Sequence, residues 1–429
     1  MRVSRFTWDG TAAELLASEI RDLVPPLAEV SADVAAIVAD VRGRGDEAVL
    51  ELTARHDATE AAPESLRVDP AEVTAALASL DHEVREGLGL AARNIRLVAE
   101  SQLDPAVENL ELPEGHSVMG RRVPVRAAGV YAPGGKAAYP SSVLMCCLPA
   151  RVAGVDRIVV ASPPGADGRV NAAVLAACEI AEVAEVYAIG GAQAIAALAL
   201  GTESVPRVDV VAGPGNRYVQ EAKLQLGAEV GIDSIAGPTE LVVVFDRDEE
   251  IDLVAIDLCA QAEHGDDGLV VAIAPGVELL DRLAARIAEL AAQRPSVGDP
   301  ALALVSAPDA RIAVELADAL APEHLELMTA DASMMAPFLG SVGCVFVGPQ
   351  SGAAFGDYVA GSNHVLPTGG AARFAGALGP DTFLRRTTVV HLDSEAAAEL
   401  APRLDAVARA EGFPVHGESA RARLERKPQ

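Results

Sequence analysis

Gln261 and His264 stand three residues apart at the end of a stretch, residues 251–264, whose apolar side chains recur at helical spacing. Residues three apart share one helix face, so both side chains are expected to project together from the last turn before Gly265 stops the helix. An amide oxygen beside an imidazole can hold a metal ion or a polar substrate. A histidine near a helix C-terminus is also a common capping residue, so the pair alone leaves both interpretations open.

Glu323 and His324 place a carboxylate beside an imidazole just before a predicted strand. Neighbours on an extended chain point to opposite faces, so the two side chains need not touch. They can still serve two successive proton transfers, because histidine titrates near neutrality. A solvated loop is the alternative for these residues taken alone.

Two further segments repeat the combination of carboxylate and imidazole. Asp357 and His364 lie in a short polar, glycine-rich stretch, and Glu411 is followed by His416 near the end of the sequence. A segment this rich in glycine packs poorly in a core, so its charged side chains are candidates for a local function. An ordinary turn is the alternative for Asp357, and a frayed tail is the alternative for the second pair.

The elements that must position these residues alternate from about residue 124 onward. β-Branched runs predict buried strands at residues 157–161, 185–189, 208–212, 241–245 and 269–274. Alanine-rich runs predict helices at residues 171–181, 192–200, 216–226 and 277–292. Such alternation indicates parallel sheets covered by helices, here in two nucleotide-fold-like halves. Residues 1 to about 120 are mostly helical in pattern, and about 50 C-terminal residues form an appendage.

Three glycine turns each follow a predicted strand and precede a predicted helix, at residues 131–135, 190–193 and 213–216. Ligands of open α/β sheets bind outside the carboxyl ends of strands, so these turns can line one nucleotide crevice. None of them is a GxGxxG motif, and glycine is common in ordinary βα turns. Dinucleotide binding and a plain connection therefore both remain open.

The composition excludes several classes of protein. With 429 residues, half of them hydrophobic, the chain can form two or three domains. A net charge of -28 argues against nucleic acid or an anionic membrane as partner. The N-terminus lacks the apolar core of a signal peptide, and no run is long enough to cross a bilayer. Five cysteines without CxxC spacing fit buried, reduced thiols in a cytoplasmic protein.

Taken in order, these motifs resemble the L-histidinol dehydrogenase family, from about residue 30 to residue 416. The resemblance rests on the following segments: Ile232-Asp-Ser-Ile-Ala-Gly-Pro-Thr-Glu240, Gln261-Ala-Glu-His264, Pro322-Glu-His324, Gly356-Asp-Tyr358 with Asn363-His364, and Glu411 with His416. It implies oxidation of L-histidinol to L-histidine through L-histidinal with two NAD, the last step of histidine biosynthesis. It also implies one zinc ion per subunit and an intertwined homodimer whose C-terminal segment reaches the partner's site.

The resemblance assigns roles to individual residues. It implies that zinc is bound by Gln261, His264, Asp357 and His416. It implies that NAD contacts Tyr131, Gln193 and Asn216. It implies that substrate contacts Thr239, Gln261, His264, His324, Asp357, Glu411 and His416. In this scheme His324 removes the alcohol proton and Glu323 activates water for the second oxidation. The nitrogen and oxygen donors suit zinc or manganese, and Thr239 keeps the hydroxyl where many members have serine.

Pattern and resemblance together predict an α/β fold with two incomplete Rossmann-type parallel-sheet domains and helical N-terminal and C-terminal extensions. The predicted segments are an extension at 1–22, a larger discontinuous domain at 23–130 plus 236–378, a second domain at 131–235 carrying the NAD-contacting turns, and a C-terminal extension at 379–429.

Three other functions compete with this prediction. A related zinc and NAD dehydrogenase acting on another small alcohol is the nearest, and Glu411 with His416 argues against it. A zinc hydrolase needs no glycine turns, and a non-catalytic binding protein leaves Glu323 and His324 without a role.

Overall fold

The computed structural model describes residues 1–25, 27–57, 65–103, 107–134, 138–235 and 238–424. Its strands are β1 (Arg2–Thr7), β2 (Val107–Glu111), β3 (Ser117–Pro124), β4 (Ala127–Tyr131), β5 (Arg157–Ser162), β6 (Glu185–Ala188), β7 (Val210–Ala212), β8 (Gly231–Ile232), β9 (Glu240–Phe245), β10 (Leu269–Pro275), β11 (Ala301–Ala307), β12 (His324–Met328), β13 (Cys344–Val347) and β14 (Leu384–His391). Its α-helices are α1 (Ala13–Arg21), α2 (Ser31–Arg44), α3 (Asp46–His56), α4 (Pro70–Ser79), α5 (His82–Ser101), α6 (Pro140–Val152), α7 (Ala172–Ile180), α8 (Gly191–Leu200), α9 (Arg217–Leu226), α10 (Ile251–Ala262), α11 (Val277–Ala292), α12 (Ala310–Leu320), α13 (Ala332–Met335), α14 (Ala353–Tyr358), α15 (Ser394–Ala410) and α16 (Pro414–Leu424).

The chain forms two compact units. The first comprises Met1–Gln102 and Arg126–Phe383, and the second comprises Leu103–Val125 and Leu384–Gln429. This division does not follow the four predicted segments, whose boundaries stay a prediction.

A parallel sheet in the first unit has the strand order β1-β11-β10-β9-β12-β13. Both of its faces are buried. Along β9, Leu241, Val243 and Phe245 pack with α10 and α11, whereas Val242 and Val244 pack with α1 and α12. Burial on two faces explains why these strands are continuous apolar runs rather than alternating ones.

The first unit also contains a second parallel sheet, with the order β6-β5-β4-β7-β8. Helices α2, α3, α8 and α9 pack on one side of it, and α6 contacts β4 and β5. The prediction of an α/β protein with parallel sheets and accompanying helices is therefore confirmed, and the predicted helix at residues 277–292 has the bounds of α11.

One predicted helix end is wrong. Helix α10 stops at Ala262, so His264 lies beyond the helix rather than in its last turn. The carbonyl of Ala262 accepts a hydrogen bond from the amide of Gly298 at 2.9 Å, which ties this end of the helix to a different segment. Gly265 then turns the chain away with φ of +132°, a backbone conformation that residues other than glycine rarely adopt.

Two elements were not expected from the sequence. Strand β1, within the predicted N-terminal extension, pairs in parallel with β11 at the edge of the first sheet. The second unit contains an antiparallel sheet of order β14-β3-β2 together with α15 and α16. Within the residues that the structure describes, no helix has the length and apolar character needed to span a membrane.

Candidate functional site

A cleft of about 530 Å³ in the first unit brings most of the predicted site residues together. Of the predicted residues, those that line it are Tyr131, Asn216, Thr239, His264, Glu323, His324 and Asp357. The residues come from opposite ends of the two sheets. Tyr131 and Asn216 lie at the carboxyl ends of β4 and β7, whereas Thr239 and His324 lie at the amino ends of β9 and β12.

A short chain of hydrogen bonds fixes the carboxylate of Glu323. Its Oε2 accepts from Thr239 Oγ1 at 2.6 Å and from the amide of Glu240 at 2.8 Å. Gln261 Nε2 donates in turn to Thr239 Oγ1 at 2.5 Å. The buried Gln261 thus contacts the site through Thr239, and its side-chain amide is oriented before any ligand binds.

His324 is the first residue of β12, and its side chain is 4% exposed. Its Nε2 lies 3.3 Å from Asp357 Oδ1, and its Nδ1 lies 3.6 Å from Glu323 Oε2 and 3.3 Å from the carbonyl of Glu240. Glu323 and His324 therefore approach each other although they are neighbours in sequence. Glu323 precedes the strand, so the alternation of an extended chain does not apply to it.

The electrostatics follow from this geometry. Burial lowers the pKa of His324, but the carboxylates of Glu323 and Asp357 outweigh burial and hold that pKa well above its usual value. Burial conversely raises the pKa of Asp357, while the hydrogen bond to His324 and the charges of nearby histidines bring it below its ordinary value. The two side chains therefore behave as a charge-assisted pair in the protein without ligands.

Asp357 lies on the short helix α14 rather than in a turn. His364, which follows it, fixes the backbone there: its Nδ1 is 2.9 Å from the carbonyl of Asp357, and its Nε2 is 2.9 Å from Ser142 Oγ. Burial lowers the pKa of His364 and so favours the neutral ring, in which Nδ1–H donates to the carbonyl and Nε2 accepts from the Ser142 hydroxyl.

The predicted metal ligands are partly assembled in the first unit. His264 is exposed, and its ring stacks near that of Tyr139 with centroids 6.3 Å apart. Both His264 and Asp357 line the cleft, and Gln261 lies behind Thr239. Within the described ranges, no group of three or more His, Cys, Asp or Glu is placed to hold a metal ion.

The glycine turns hold the predicted NAD residues in different ways. Tyr131 is buried at the cleft wall, and its hydroxyl accepts from the amide of Gly191 at 3.1 Å. Gln193 is buried, and its amide nitrogen is 3.5 Å from Asp57 Oδ2. Asn216 is exposed, and its Oδ1 caps α9 by accepting from two backbone amides. Tyr131 and Asn216 face the cleft, whereas Gln193 supports the turn from behind.

A buried ion pair fixes the third turn. Lys223 Nζ donates to Asp233 Oδ1 at 2.7 Å and to the carbonyl of Gly213 at 2.5 Å, while Asp233 Oδ2 accepts from the amide of Gly213 at 2.8 Å. Only glycine fits at position 213, because φ is +120° and a Cβ there would collide with the carbonyl of Tyr131. The turn that carries Asn216 is thus held rigidly against β4.

Glu411 and His416 belong to the second unit. The amide of Glu411 closes α15 on the carbonyl of Val407, and His416 lies on α16 with its ring 5.4 Å from that of Phe413. Both side chains are exposed within the described chain, so neither is a buried structural residue.

The cysteines are confirmed as buried thiols, apart from Cys344, which is partly buried. Burial raises the pKa of Cys146, Cys147, Cys178 and Cys259, which suppresses the thiolate that nucleophilic catalysis requires.

Several residues around the site were not identified from the sequence. Tyr139 and Ser142, at the start of α6, lie near it in a segment that no spacing connects to the motifs. Glu326 and Asp257 carry a readable signal, since Glu326 shares a strand face with His324 and Asp257 shares a helix face with Gln261.

Comparison with known proteins agrees with this arrangement. A family profile described as histidinol dehydrogenase matches residues 25–424. A histidinol dehydrogenase from Zymomonas mobilis subsp. mobilis is 45% identical over 404 residues, covering 92% of this chain and 93% of the relative. Another from Cereibacter sphaeroides is 44% identical over 409 residues, covering 93% of each. The crystal structure of histidinol dehydrogenase from Elizabethkingia anophelis superimposes with a TM-score of 0.88 at 29% identity, covering 99% of this chain and 98% of that one.

Proposed function

Because the chain belongs to the histidinol dehydrogenase family, we propose that its cleft oxidises L-histidinol to L-histidine through L-histidinal, with two NAD and one zinc ion per subunit. The family makes the protein an oxidoreductase of histidine biosynthesis. The observation that carries the proposal is one cleft lined both by two of the glycine turns, at residues 131–135 and 213–216, and by the Glu323, His324 and Asp357 cluster. A hydrolase would need only the Glu323, His324 and Asp357 cluster and not the glycine turns.

The donor set supports a zinc site. We assign the metal to Gln261, His264 and Asp357 of one subunit and His416 of a second copy of the chain. Nitrogen and oxygen donors without thiolate are within the usual range for zinc. The approach of His264 and Asp357 in one cleft, with Gln261 anchored by Thr239, agrees with this assignment. When bound, zinc would hold the imidazole and amino nitrogens of histidinol, and NAD would accept the hydride.

His324 is assigned to the first oxidation. In the neutral ring with Nδ1–H donating to the carbonyl of Glu240, Nε2 has a lone pair for the alcohol proton. The O–H proton passes to Nε2 as the hydride leaves the carbinol carbon, and the products are the aldehyde and imidazolium. The same two carboxylates hold the proton on His324 in the protein without metal. Zinc bound to Asp357 would offset one of these charges and favour the neutral ring that accepts the proton, and Glu323 would then stabilise the imidazolium.

Glu323 is assigned to the second oxidation. Thr239 and the amide of Glu240 fix one oxygen of its carboxylate, so the group is oriented as a general base. It takes a proton from water as the water oxygen attacks the aldehyde carbon. The resulting hydrate would transfer its hydride to the second NAD and release its two hydroxyl protons, which leaves the carboxylate of histidine.

The other substrate contacts are proposed from the family likeness. Thr239, Gln261, His264, His324 and Asp357 act within one subunit, and we expect Glu411 and His416 to be supplied by its partner in a homodimer. We expect Tyr131, Gln193 and Asn216 to contact NAD. The large exposed side chains of the second unit, among them Val407, Phe413 and Val415, agree with a surface that another subunit covers.

One assay tests the proposal. Purified protein is incubated with histidinol and NAD, and the absorbance of NADH is followed while histidinol and histidine are quantified. We expect two NADH per histidine formed, no turnover after treatment with a chelator, and recovery on adding zinc. Turnover of another small alcohol in preference to histidinol would favour the alternative of a related zinc and NAD dehydrogenase.

A further inference from the structure

Two acidic side chains outside the proposed mechanism lie directly beneath the site. Glu326, on β12, is fully buried, and its Oε1 accepts from the amide of Ala353 at 2.7 Å. Asp257, on α10, faces Glu326, and the two carboxyl groups are close enough to share a proton. Asp257 also approaches the residue before α14, because a Cβ built at Gly352 would lie 3.4 Å from its Oδ1. The acidic pair therefore meets the start of α14 from two different elements.

The pair is stable only when it holds a proton. Glu326 Oε2 is buried, and while both groups are carboxylates it has no donor among the described residues. A proton shared with Asp257 supplies that donor and removes one of two adjacent buried charges. Burial raises the pKa of both groups, and the charge of Asp257 raises that of Glu326 further, which agrees with one retained proton.

The anchored helix carries a site residue at its other end. Asp357, five positions after Gly352, contacts His324 across the cleft. Between these ends, Gly356 packs so closely on Phe346 that a Cβ would lie 2.5 Å from the ring, and Phe346 itself contacts His324. Because the middle of α14 is closely packed on the ring of Phe346, a shift at the start of the helix should also displace Asp357.

We propose that Asp257 and Glu326 form a hydrogen-bonded positioning pair that anchors the start of α14 and thereby places the carboxylate of Asp357. Neither side chain of the pair lines the cleft. The inference rests on the proposed function, in which Asp357 is a zinc ligand. Partners that orient metal ligands are worth about 10–100-fold in metal affinity or activity.

Zinc affinity tests the pair directly. Competition with a chromophoric chelator gives the zinc Kd of the full-length wild type, Glu326→Ala, Asp257→Ala and Glu326→Gln. We expect the two alanine variants to bind zinc about 10–100-fold more weakly. Glu326→Gln should stay within about threefold of wild type, because its amide oxygen accepts from Ala353 and its NH₂ donates to Asp257.

A matched control is available on the same helix. Asp252 is exposed on α10 and pairs with Arg286, so Asp252→Ala should leave the zinc Kd unchanged. Thermal unfolding identifies any variant that fails to fold. If the alanine variants do not fold, the zinc Kd of Glu326→Gln, the least disruptive change, is the measurement that decides. Wild-type affinity in a folded alanine variant, or a loss in Glu326→Gln beyond threefold, overturns the inference. Absence of zinc binding in the wild type contradicts the proposed function instead.

Discussion

Nε2 of His324 lies 3.3 Å from Oδ1 of Asp357, so the first residue of β12 meets the helix α14 across the floor of the cleft. The carboxylate of Asp357 thus has two proposed roles: it stabilises the imidazolium of His324, the proposed base, and it is a zinc ligand. Glu323 reaches the other ring nitrogen at 3.6 Å. The charge state of His324 in the protein without metal depends on both acids.

The titration of His324 measures this dependence. An opposite charge within a few ångströms stabilises the imidazolium, so Asp357→Asn and Glu323→Gln should each lower the pKa of His324. The sign follows because removing a negative neighbour destabilises the imidazolium. Histidine resonances followed by NMR in chelator-treated protein give the value. Glu315→Gln, at an exposed position on α12, is the control, and an unchanged titration in both site variants would refute the assigned electrostatics.

The division of labour between the two proposed bases is also testable. Glu323→Gln should reduce kcat for the oxidation of histidinal by about 10²–10⁴-fold, because this step needs an activated water. The oxidation of histidinol to histidinal needs no water, so the variant should slow that step much less. His324→Asn should impair both. Single-turnover kinetics with each substrate separate the steps. Equal losses for both substrates in Glu323→Gln would contradict the assignment.

The sequence predicted the repeating elements well because the central strands of the two parallel sheets are buried on both faces, which gives each of those strands a continuous apolar run. The motifs singled out Thr239, Glu323, His324 and Asp357, which line one cleft, and the roles of these residues stay a prediction. Spacing failed where contacts between distant segments decide the structure. The end of α10 depends on Gly298, 36 positions after Ala262, and β1 is a strand because it pairs with β11.

The buried acids show the same limit. The position of Glu326 on the strand face of His324 is readable from the alternation of β12. The pairing of Glu326 with Asp257 cannot be read from the sequence, because that contact depends on how α10 packs against the sheet. Nothing in the spacing predicts that Ala353 donates to the same carboxylate.

The retained proton makes stability depend on pH. Burial, together with the charge of Asp257, raises the pKa of Glu326 to about 8, so the folded protein binds this proton more tightly than the unfolded chain does. The stabilisation is fully present below the ordinary pKa of glutamate and is lost as pH rises through about 8. Between pH 5 and 9, Tm should fall by roughly 1–3 °C more for wild type than for Glu326→Gln. Parallel Tm curves in calorimetry, with Glu315→Gln as control, would contradict the raised pKa.

The zinc assignment predicts a distant effect of the C-terminal histidine. His416→Ala should bind zinc at least about tenfold more weakly than wild type, although residue 416 belongs to a different compact unit from His264. Zinc content after gel filtration and competition with a chelator provide the measurement. His391→Ala, in the same unit but without a predicted role, is the control. Full zinc occupancy in His416→Ala at chelator concentrations that strip His264→Ala would remove His416 from the ligand set.

Subunit complementation tests whether the C-terminal segment acts in the partner's site. If His416 of one copy completes the site of the other, a heterodimer of His264→Ala and His416→Ala contains one intact and one doubly altered site. After random exchange of a one-to-one mixture, half of the dimers are heterodimers, so about a quarter of wild-type activity should return from two inactive proteins. The matched control mixes His264→Ala with Glu323→Gln, both altered in the same unit; each heterodimer then contains only damaged sites and should recover nothing. Exchange is verified independently by native mass spectrometry with one isotopically labelled partner. An inactive first mixture despite proven exchange would place His416 in the site of its own chain.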